Sequence, residues 1–333
     1  MVKVSIIITT YNREKFIKRT LESVLNQTFK DLEVIVVDDC STDKTPYIIE
    51  EIKKNDNRVK LIRLSKNSGG PAKPRNEGLK IAKGHYVFLL DDDDLLLPTS
   101  IQERVEIFQN KNVNIINANT WVVDFKHKKI IDIINGNTSC LAFKSEIIKK
   151  IGFFDEELTG IDEIDFLIRY KLFFKENVFV FEKPTILYFR HGAQISGLNY
   201  NPDVIQRFIK RDILFLKKLD FLSKTIGEEK IPEFIESNYI SIYFWLSYRY
   251  GLLGNFEEMK KYAEKLIINN KKAIGVCLKI LSFIKMRKLN IILDIFLKKI
   301  KKIVFNYRKM NKFKKIYRES YNEAVKLLSN LNS

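Results

Sequence analysis

Over the first hundred residues, short apolar runs alternate with segments whose apolar positions recur every three or four residues. Val2–Thr10 (VKVSIIITT), Leu32–Val37 (LEVIVV), Val59–Leu64 and Tyr86–Leu90 have strand length. The runs are apolar on both faces, as in strands buried between two layers. Glu14–Asn26 places Phe16, Ile17, Leu21, Val24 and Leu25 on one helical stripe. Thr45–Asn55 reads as a second helix, and a third runs from the Gly69-Gly70-Pro71 loop to Ala82. Strands and helices alternating at about 25-residue spacing predict right-handed βαβ units and a mainly parallel sheet.

The rhythm changes after Gln109. Ile115–Asn117, Trp121–Phe125 and Ile130–Ile134 read as short strands, the last two a hairpin turning near His127. Ser145–Ile151 is a short helix, and Asp155–Phe174 an acidic turn leading into another. Val178–Phe181 and Ile186–Phe189 are two more strands. From Pro202 the pattern is helical, with expected helices over Pro202–Phe221, Pro232–Leu253, Phe256–Asn269 and Ile274–Phe305, and a last one ending near Asn330. The expected organisation is an α/β domain over 1–200 followed by an α-helical, basic region over 201–333.

Composition narrows the function classes. Of 333 residues, 45% are hydrophobic, enough for a sizeable core, which argues against disorder. The net charge of +17, from 58 basic and 41 acidic residues, favours a polyanionic partner. The cysteines Cys40, Cys140 and Cys277 form no CxxC pair or disulfide framework, which points to a reducing, cytoplasmic setting. No signal peptide is recognisable and no run approaches the ~20 apolar residues of a spanning helix. Between Phe296 and Arg318 there is no acidic residue, while Lys298, Lys299, Lys301, Lys302, Arg308 and Lys309 supply positive charge. A basic amphipathic helix there suits an anionic membrane surface; a solvated face of a packed helix is the competing reading.

Two of the buried strands end in carboxylates, Asp38-Asp39 and Asp91-Asp92-Asp93-Asp94. Four acids at a strand end repel one another unless some bind a cation or face water. On central parallel strands both clusters lie on the ligand-binding edge of the sheet. Hard carboxylate oxygens suit Mg²⁺ or Mn²⁺, which could hold a diphosphate and help it depart. Tyr11, ending the first strand on the same edge, could stack on a nucleobase, and Arg75 has the geometry for phosphate. There is no GxGxxG, no GxxxxGK[ST], no zinc spacing and no GxSxG elbow.

The segments VSIIITTYNR, VIVVDDCSTDKT, SGGPAKPRNEGL and LLDDDDLLLP, in this order and spacing, resemble the family 2 glycosyltransferases, inverting enzymes of GT-A fold, over roughly residues 1–200. The resemblance implies roles by position. Thr9 and Tyr11 would contact the nucleobase, and Asp39 would accept a hydrogen bond from a uracil-like base. Arg75 would lie near the donor phosphates, and Asp91 and Asp92 would reach the ribose or sugar. Asp93 would bind the metal, with His191 touching the diphosphate or the metal. The family's base pattern falls on Gly160-Ile161-Asp162-Glu163-Ile164-Asp165 with the first two acids reversed, leaving the base between Glu163, favoured by register, and Asp162.

The implied reaction moves a sugar from a UDP-linked donor to a hydroxyl of a glycan or lipid-linked glycan, in surface polysaccharide or glycoprotein glycan synthesis. Two other readings stand beside it: a polyprenyl-phosphate sugar synthase, and a basic, non-catalytic nucleic-acid-binding module. Nucleic acid is not the expected partner, because no such motif is present and acidic strand ends repel phosphate without a metal.

Overall fold

The computed structural model describes residues 3–135, 138–190, 201–226, 233–269 and 318–330. The described chain divides into two compact units, one formed by Met1–Gly197 with Arg308–Ser333 and one by Leu198–Tyr307.

The first unit is built on a nine-stranded sheet. Its parallel half comprises β1 (Val4–Thr10), β2 (Leu32–Asp38), β3 (Val59–Arg63) and β4 (Tyr86–Asp91), in the order β3-β2-β1-β4. Between them run α1 (Ile17–Leu25), α2 (Thr45–Asn55) and α3 (Ala72–Ile81). The order then continues through β8 (Leu141–Lys144), β6 (Ile115–Asp124), β9 (Phe179–Arg190) and β5 (Leu95–Leu96), with β7 (Lys129–Asn135) on β6. Here β8 is antiparallel to β4 and β6, whereas β6 and β9 are parallel.

The apolar runs are strands because both faces are covered. Ile6 and Ile8 of β1 join Phe88 and Leu90 of β4 under Leu21 and Val24 of α1. Ile7, Val87 and Leu89 point the other way, onto Leu79 of α3 and Phe166 and Tyr170 of α6 (Asp162–Phe174). Each strand therefore feeds two cores, which removes the one-sided alternation of a half-exposed strand.

Some boundaries differ from the sequence reading. Trp121–Phe125 is not a separate strand: Ile115–Asp124 is continuous, with a register shift near Ala118 in its pairing to β9. The two short strands expected after Val178 are likewise one, Phe179–Arg190. Helix α4 (Ser100–Asn110) and the short α5 (Ile148–Ile151) complete this part.

The second unit contains α7 (Pro202–Ile226), α8 (Glu233–Leu252) and α9 (Phe256–Asn269). In α7, Asp212 is fully buried and paired with Arg211 and Arg249. The expected helix Ile274–Phe305 and its lysine-rich extension lie outside the described residues. The division differs from 1–200 and 201–333 in one respect. The final helix, α10 (Arg318–Asn330), belongs with the first unit, where Ala324 and Leu328 pack with Trp121, Leu187 and Phe189.

Candidate active site

Register brings the candidate residues together. Thr9 lies opposite Val37 on one side and Asp91 on the other, and Thr10 lies opposite Asp38. The ends of β1, β2 and β4 thus form one edge, where Tyr11 is 42% exposed. The loops beyond β1 and β2 are stitched to each other. The Asn12 N–H donates to Ser41 Oγ at 2.8 Å, the Thr42 N–H to Asn12 Oδ1 at 2.8 Å, and the Arg13 N–H to Thr45 Oγ1 at 2.7 Å. Asn12 and Cys40 both sit in the left-handed region, at φ 52° and 66°, where the chain turns out of each strand.

The two acids ending β2 differ in surroundings. Asp38 is fully buried, accepts from the Ser41 N–H and receives Arg63 Nε at 2.9 Å. Asp39 receives the Ser68 N–H, the Ser68 hydroxyl and Asn67 Nδ2. Oδ2 takes three of these donors and Oδ1 shares only the Ser68 N–H, so Oδ1 keeps acceptor capacity for a ligand donor. Burial raises the Asp39 carboxyl above the usual range, against the Ser68 hydrogen bonds.

The acidic turn after β4 is held from below by α1. Thr20 Oγ1 donates to the Asp92 carbonyl at 2.9 Å and Arg19 Nη2 to the Asp93 carbonyl at 3.1 Å. Asp94 is fully buried, accepting from Ser139 Oγ at 2.6 Å and the Phe189 N–H at 3.3 Å. Burial, reinforced by Asp93, pushes Asp94 well above the usual carboxylate range. Asp94 therefore ties the turn to β9, whereas Asp91 keeps 34% of its side chain exposed. Burial carries Asp91 to about 6, with Arg75 opposing, and Asp92 to about 8, helped by Asp93 and opposed by Arg13.

Arg75, on the first turns of α3, is the hub between this turn and the expected base. It is buried, ion-paired to Asp162 and 3.4 Å from Asp91. Burial works against its charge, but Asp162, Asp91 and Glu163 outweigh that and hold its pKa above the ordinary value. Its guanidinium, expected beside donor phosphates, is directed to two carboxylates.

Asp162 is fully buried, and its other oxygen accepts the Gly160 N–H at 3.1 Å. Both of its oxygens are thus engaged. The neighbouring Glu163 is half-buried and lies in the first turn of α6. Burial, followed by repulsion from Asp162, raises its carboxyl to about 7, against the pull of Arg75. The segment before α6 is fixed to α3. Asn76 Nδ2 donates to the Phe154 carbonyl and to Glu156, each at 3.0 Å, and Asn76 Oδ1 accepts the Phe154 N–H. Gly70 approaches Thr159 so closely that a Cβ at Gly70 would meet the threonine side chain at 2.3 Å. A polar cleft of about 340 Å³ lies between these two loops, lined by Lys66, Asn67, Ser68, Lys73, Glu156 and Thr159 among others.

His191, the other expected metal contact, lies outside the described residues. Among the described residues no group of three or more His, Cys, Asp or Glu is arranged to enclose a metal. A Mg²⁺-type ion needs no such cage, since it commonly takes one or two carboxylates plus substrate phosphates. The donor set at Asp91–Asp93 fits that mode: hard oxygens on adjacent residues, with Asp91 and Asp92 raised by burial and then by neighbouring acids, a strain that a cation would relieve.

Sequence reasoning gave no role to Arg13, Arg19, Asn76 or Ser139. Arg13 and Asn76 fall inside motifs already quoted. The roles of Arg19 and Ser139 depend on long-range packing, and no local pattern marks them.

The family model for glycosyl transferase family 2 matches residues 5–167. Among curated proteins, the poly(ribitol-phosphate) beta-N-acetylglucosaminyltransferase TarS of Staphylococcus aureus is 40% identical over 118 residues, 35% of this chain. The chain spans only 20% of the length of that relative. The crystal structure of S. aureus TarS 1-349 in complex with UDP-GlcNAc superposes with a TM-score of 0.52 at 21% identity, covering 80% of this chain and 89% of that one. The mannosyltransferase PcManGT from Pyrobaculum calidifontis, in complex with GDP-Man and Mn²⁺, gives 0.51 at 15% identity, covering 99% of this chain and 86% of that one. At these identities the likeness is one of fold, and the fold is the GT-A fold.

Proposed function

Because its residues 5–167 form a glycosyl transferase family 2 region, we propose that this protein is an inverting glycosyltransferase. It would move a sugar from a nucleotide-diphosphate donor, UDP-linked, to a hydroxyl of a glycan or lipid-linked glycan. The observation that carries the reading is the convergence of three strand ends, with Tyr11, Asp39 and Asp91–Asp93, on one edge of the sheet, with the half-buried Glu163 carboxyl, raised to about 7, close enough to Asp91 to feel its charge.

Tyr11 would stack on the base, and Asp39 Oδ1 would accept a base N–H, as suits the N3–H of uracil. Asp91 and Asp92 would face the ribose or sugar. Asp93, with Asp91 or Asp92, would hold a divalent ion, which when bound supplies positive charge to the departing diphosphate. Glu163 would take the proton of the acceptor hydroxyl as it attacks the anomeric carbon from the face opposite the leaving group. Asp162 is the poorer base, because Arg75 and the Gly160 N–H already occupy its oxygens. Arg75 would act on both partners at once, orienting Asp91 toward the donor and Asp162 beneath the base.

The poly(ribitol-phosphate) named for TarS supports a surface glycan as the acceptor class. No helix among the described residues is long and apolar enough to cross a membrane. Attachment to the cytoplasmic face would then be peripheral, through the lysine-rich stretch after Phe296.

The test is donor binding followed by product analysis. UDP should compete for the donor site better than GDP or dTDP. Glu163→Gln should bind UDP normally yet transfer no sugar, and Asp93→Ala should lose metal-dependent donor binding. Undiminished turnover in Glu163→Gln would remove Glu163 as the base.

A further inference from the structure

Asparagine is a poor strand former, and a buried amide costs free energy unless its polar atoms find partners. β6 nevertheless carries Asn117 and Asn119 on one face, 9% and 6% exposed. Ile115, earlier on that face, packs with Val87 of β4 and Phe166 of α6. Strand alternation therefore puts both asparagines on the α6 side of the sheet. Asn135, ending β7, fixes how Asn117 is turned. Its Nδ2 donates to the Asn117 carbonyl at 3.2 Å, and its Oδ1 accepts Asn117 Nδ2 at 3.1 Å. Turning the Asn117 amide over would set two oxygens against each other. Asn117 Oδ1 is thus the atom left over, and among the described residues it is buried without a hydrogen bond. Folded proteins rarely leave such an acceptor unmet. Asn135 is exposed, so this oxygen lies immediately behind a solvent-facing side chain.

Two independent measures place it beside the chemistry. Phe88 and Ile116 both lie opposite Ala142 of β8, to which β4 and β6 are each antiparallel. Followed along the strands, that register sets Asn119 level with Asp91, two strands away, a separation of about 10 Å. The second measure runs through α6. Asn114 Nδ2 and the Tyr170 hydroxyl meet on Glu176 Oε2, at 3.1 and 3.0 Å. From that level the chain climbs about 10 Å into β6 to reach Asn117, and α6 climbs about 10 Å back to Glu163. Asn117, Asn119 and Glu163 share one height on one face of the sheet.

From this geometry we infer that Asn117, with Asn119 beside it, is an acceptor-binding residue: its Oδ1 accepts a hydrogen bond from a hydroxyl that does not react, and so turns the reacting hydroxyl toward Glu163. The inference rests on the glycosyl-transfer reading and names the residues that hold the acceptor in it. The atom left over is itself an acceptor, so its ligand must bring a donor. Sugar and polyol hydroxyls do so, and a carboxylate or phosphate does not. On that reading the sheet edge carries nucleobase at β1 and β2, diphosphate at β4 and acceptor at β6, in the order the strands lie.

The experiment reads binding to the full chain in the presence of Mg²⁺ and UDP, by saturation-transfer NMR, with ribitol, methyl β-glucoside and methyl β-N-acetylglucosaminide as probes. At least one probe should bind; ribitol alone would mark an open-chain polyol as the acceptor, and a glycoside would mark a sugar ring. Asn117→Leu should weaken that binding at least tenfold and leave the affinity for UDP where it was. Asn135→Ala cuts the tie between β7 and Asn117 but keeps the acceptor atom, so it should weaken the probe less than Asn117→Leu does. Losses as large in Asn135→Ala mean that the pair only pins β7 to β6, and they overturn the inference, as does undiminished probe binding by Asn117→Leu. A chain that binds UDP and none of the probes overturns the inference alone. A chain that binds neither overturns the glycosyl-transfer reading with it. A further measurement does not depend on the folding of any variant. The side-chain amide resonance of Asn117, assigned through its bonds in the unaltered chain, should shift as the probe is added, and a resonance that stays in place refutes the proposal.

Discussion

Replacing Arg75 by glutamine removes the cation between Asp91 and Asp162 without opening a large void. The Arg75 side chain is 5% exposed and that of Asp162 is 0% exposed, so the pair is buried and solvent screening does not soften its loss. Breaking a buried pair by removing one partner costs about 3–5 kcal/mol, because the remaining charge is left uncompensated. At about 2–4 °C per kcal/mol for a domain of this size, the melting temperature of the first unit should fall by about 6–20 °C. The double variant Arg75→Gln/Asp162→Asn should recover much of that loss, since it no longer buries a lone carboxylate. The assay is thermal and urea unfolding of the four chains as a double-mutant cycle. A second readout follows from Glu163, whose carboxyl Arg75 pulls downward. In Arg75→Gln, the acidic limb of the rate profile should move to higher pH. A cycle whose single losses simply add, or a loss below about 1 kcal/mol, would refute the buried-pair reasoning.

Three further outcomes follow from the same geometry. With Glu163 at about 7 and active when deprotonated, kcat/KM at saturating metal should rise about tenfold per pH unit below 7 and level off above it, as measured by initial rates from pH 5.5 to 9. Asp91 and Asp92 hold their protons more tightly folded than unfolded, so their protonated forms favour the fold at low pH. That contribution is lost as pH rises through about 6 and about 8, and the melting temperature of the metal-free chain should fall between pH 5 and 8.5, with Mn²⁺ and UDP reversing the trend. Gly70→Ala would drive a methyl into Thr159 and should cost about 1–3 kcal/mol, partly restored by Thr159→Gly, as read by unfolding and by UDP affinity.

The parallel half of the sheet was legible because its strands are apolar on both faces and end in polar turns. Tyr86–Leu90 reads as a central strand from its apolar run alone, and Asp39 and Asp91 fall on one edge once the strands are parallel. The later strands were harder. Ile115–Asp124 is interrupted by Asn119 and Thr120, which read as a break; in the fold Asn119 Nδ2 donates to the Glu182 carbonyl at 2.7 Å and the strand continues. Of the two acids heading α6, register favours Glu163 but leaves Asp162 open. They separate in three dimensions because Arg75, 87 residues away from Asp162 along the chain, engages one of them. The compensation of the acidic turn was equally hidden, since Arg13, Arg19 and Arg75 reach it from three elements and no spacing rule joins them.

The docking of α10 beside Trp121, Leu187 and Phe189 bears on how the protein can be shortened and still studied. A fragment ending near residue 200 keeps every candidate site residue yet uncovers the apolar surface that Ala324 and Leu328 close. Such a fragment would tend to self-associate, and its inactivity could be mistaken for proof that the helical region performs chemistry. Joining residues 318–330 to position 200 through a flexible Gly/Ser linker, or adding them as a separate peptide, would restore the cover. Only against that repaired fragment does deletion of the intervening helices report on what those helices themselves contribute.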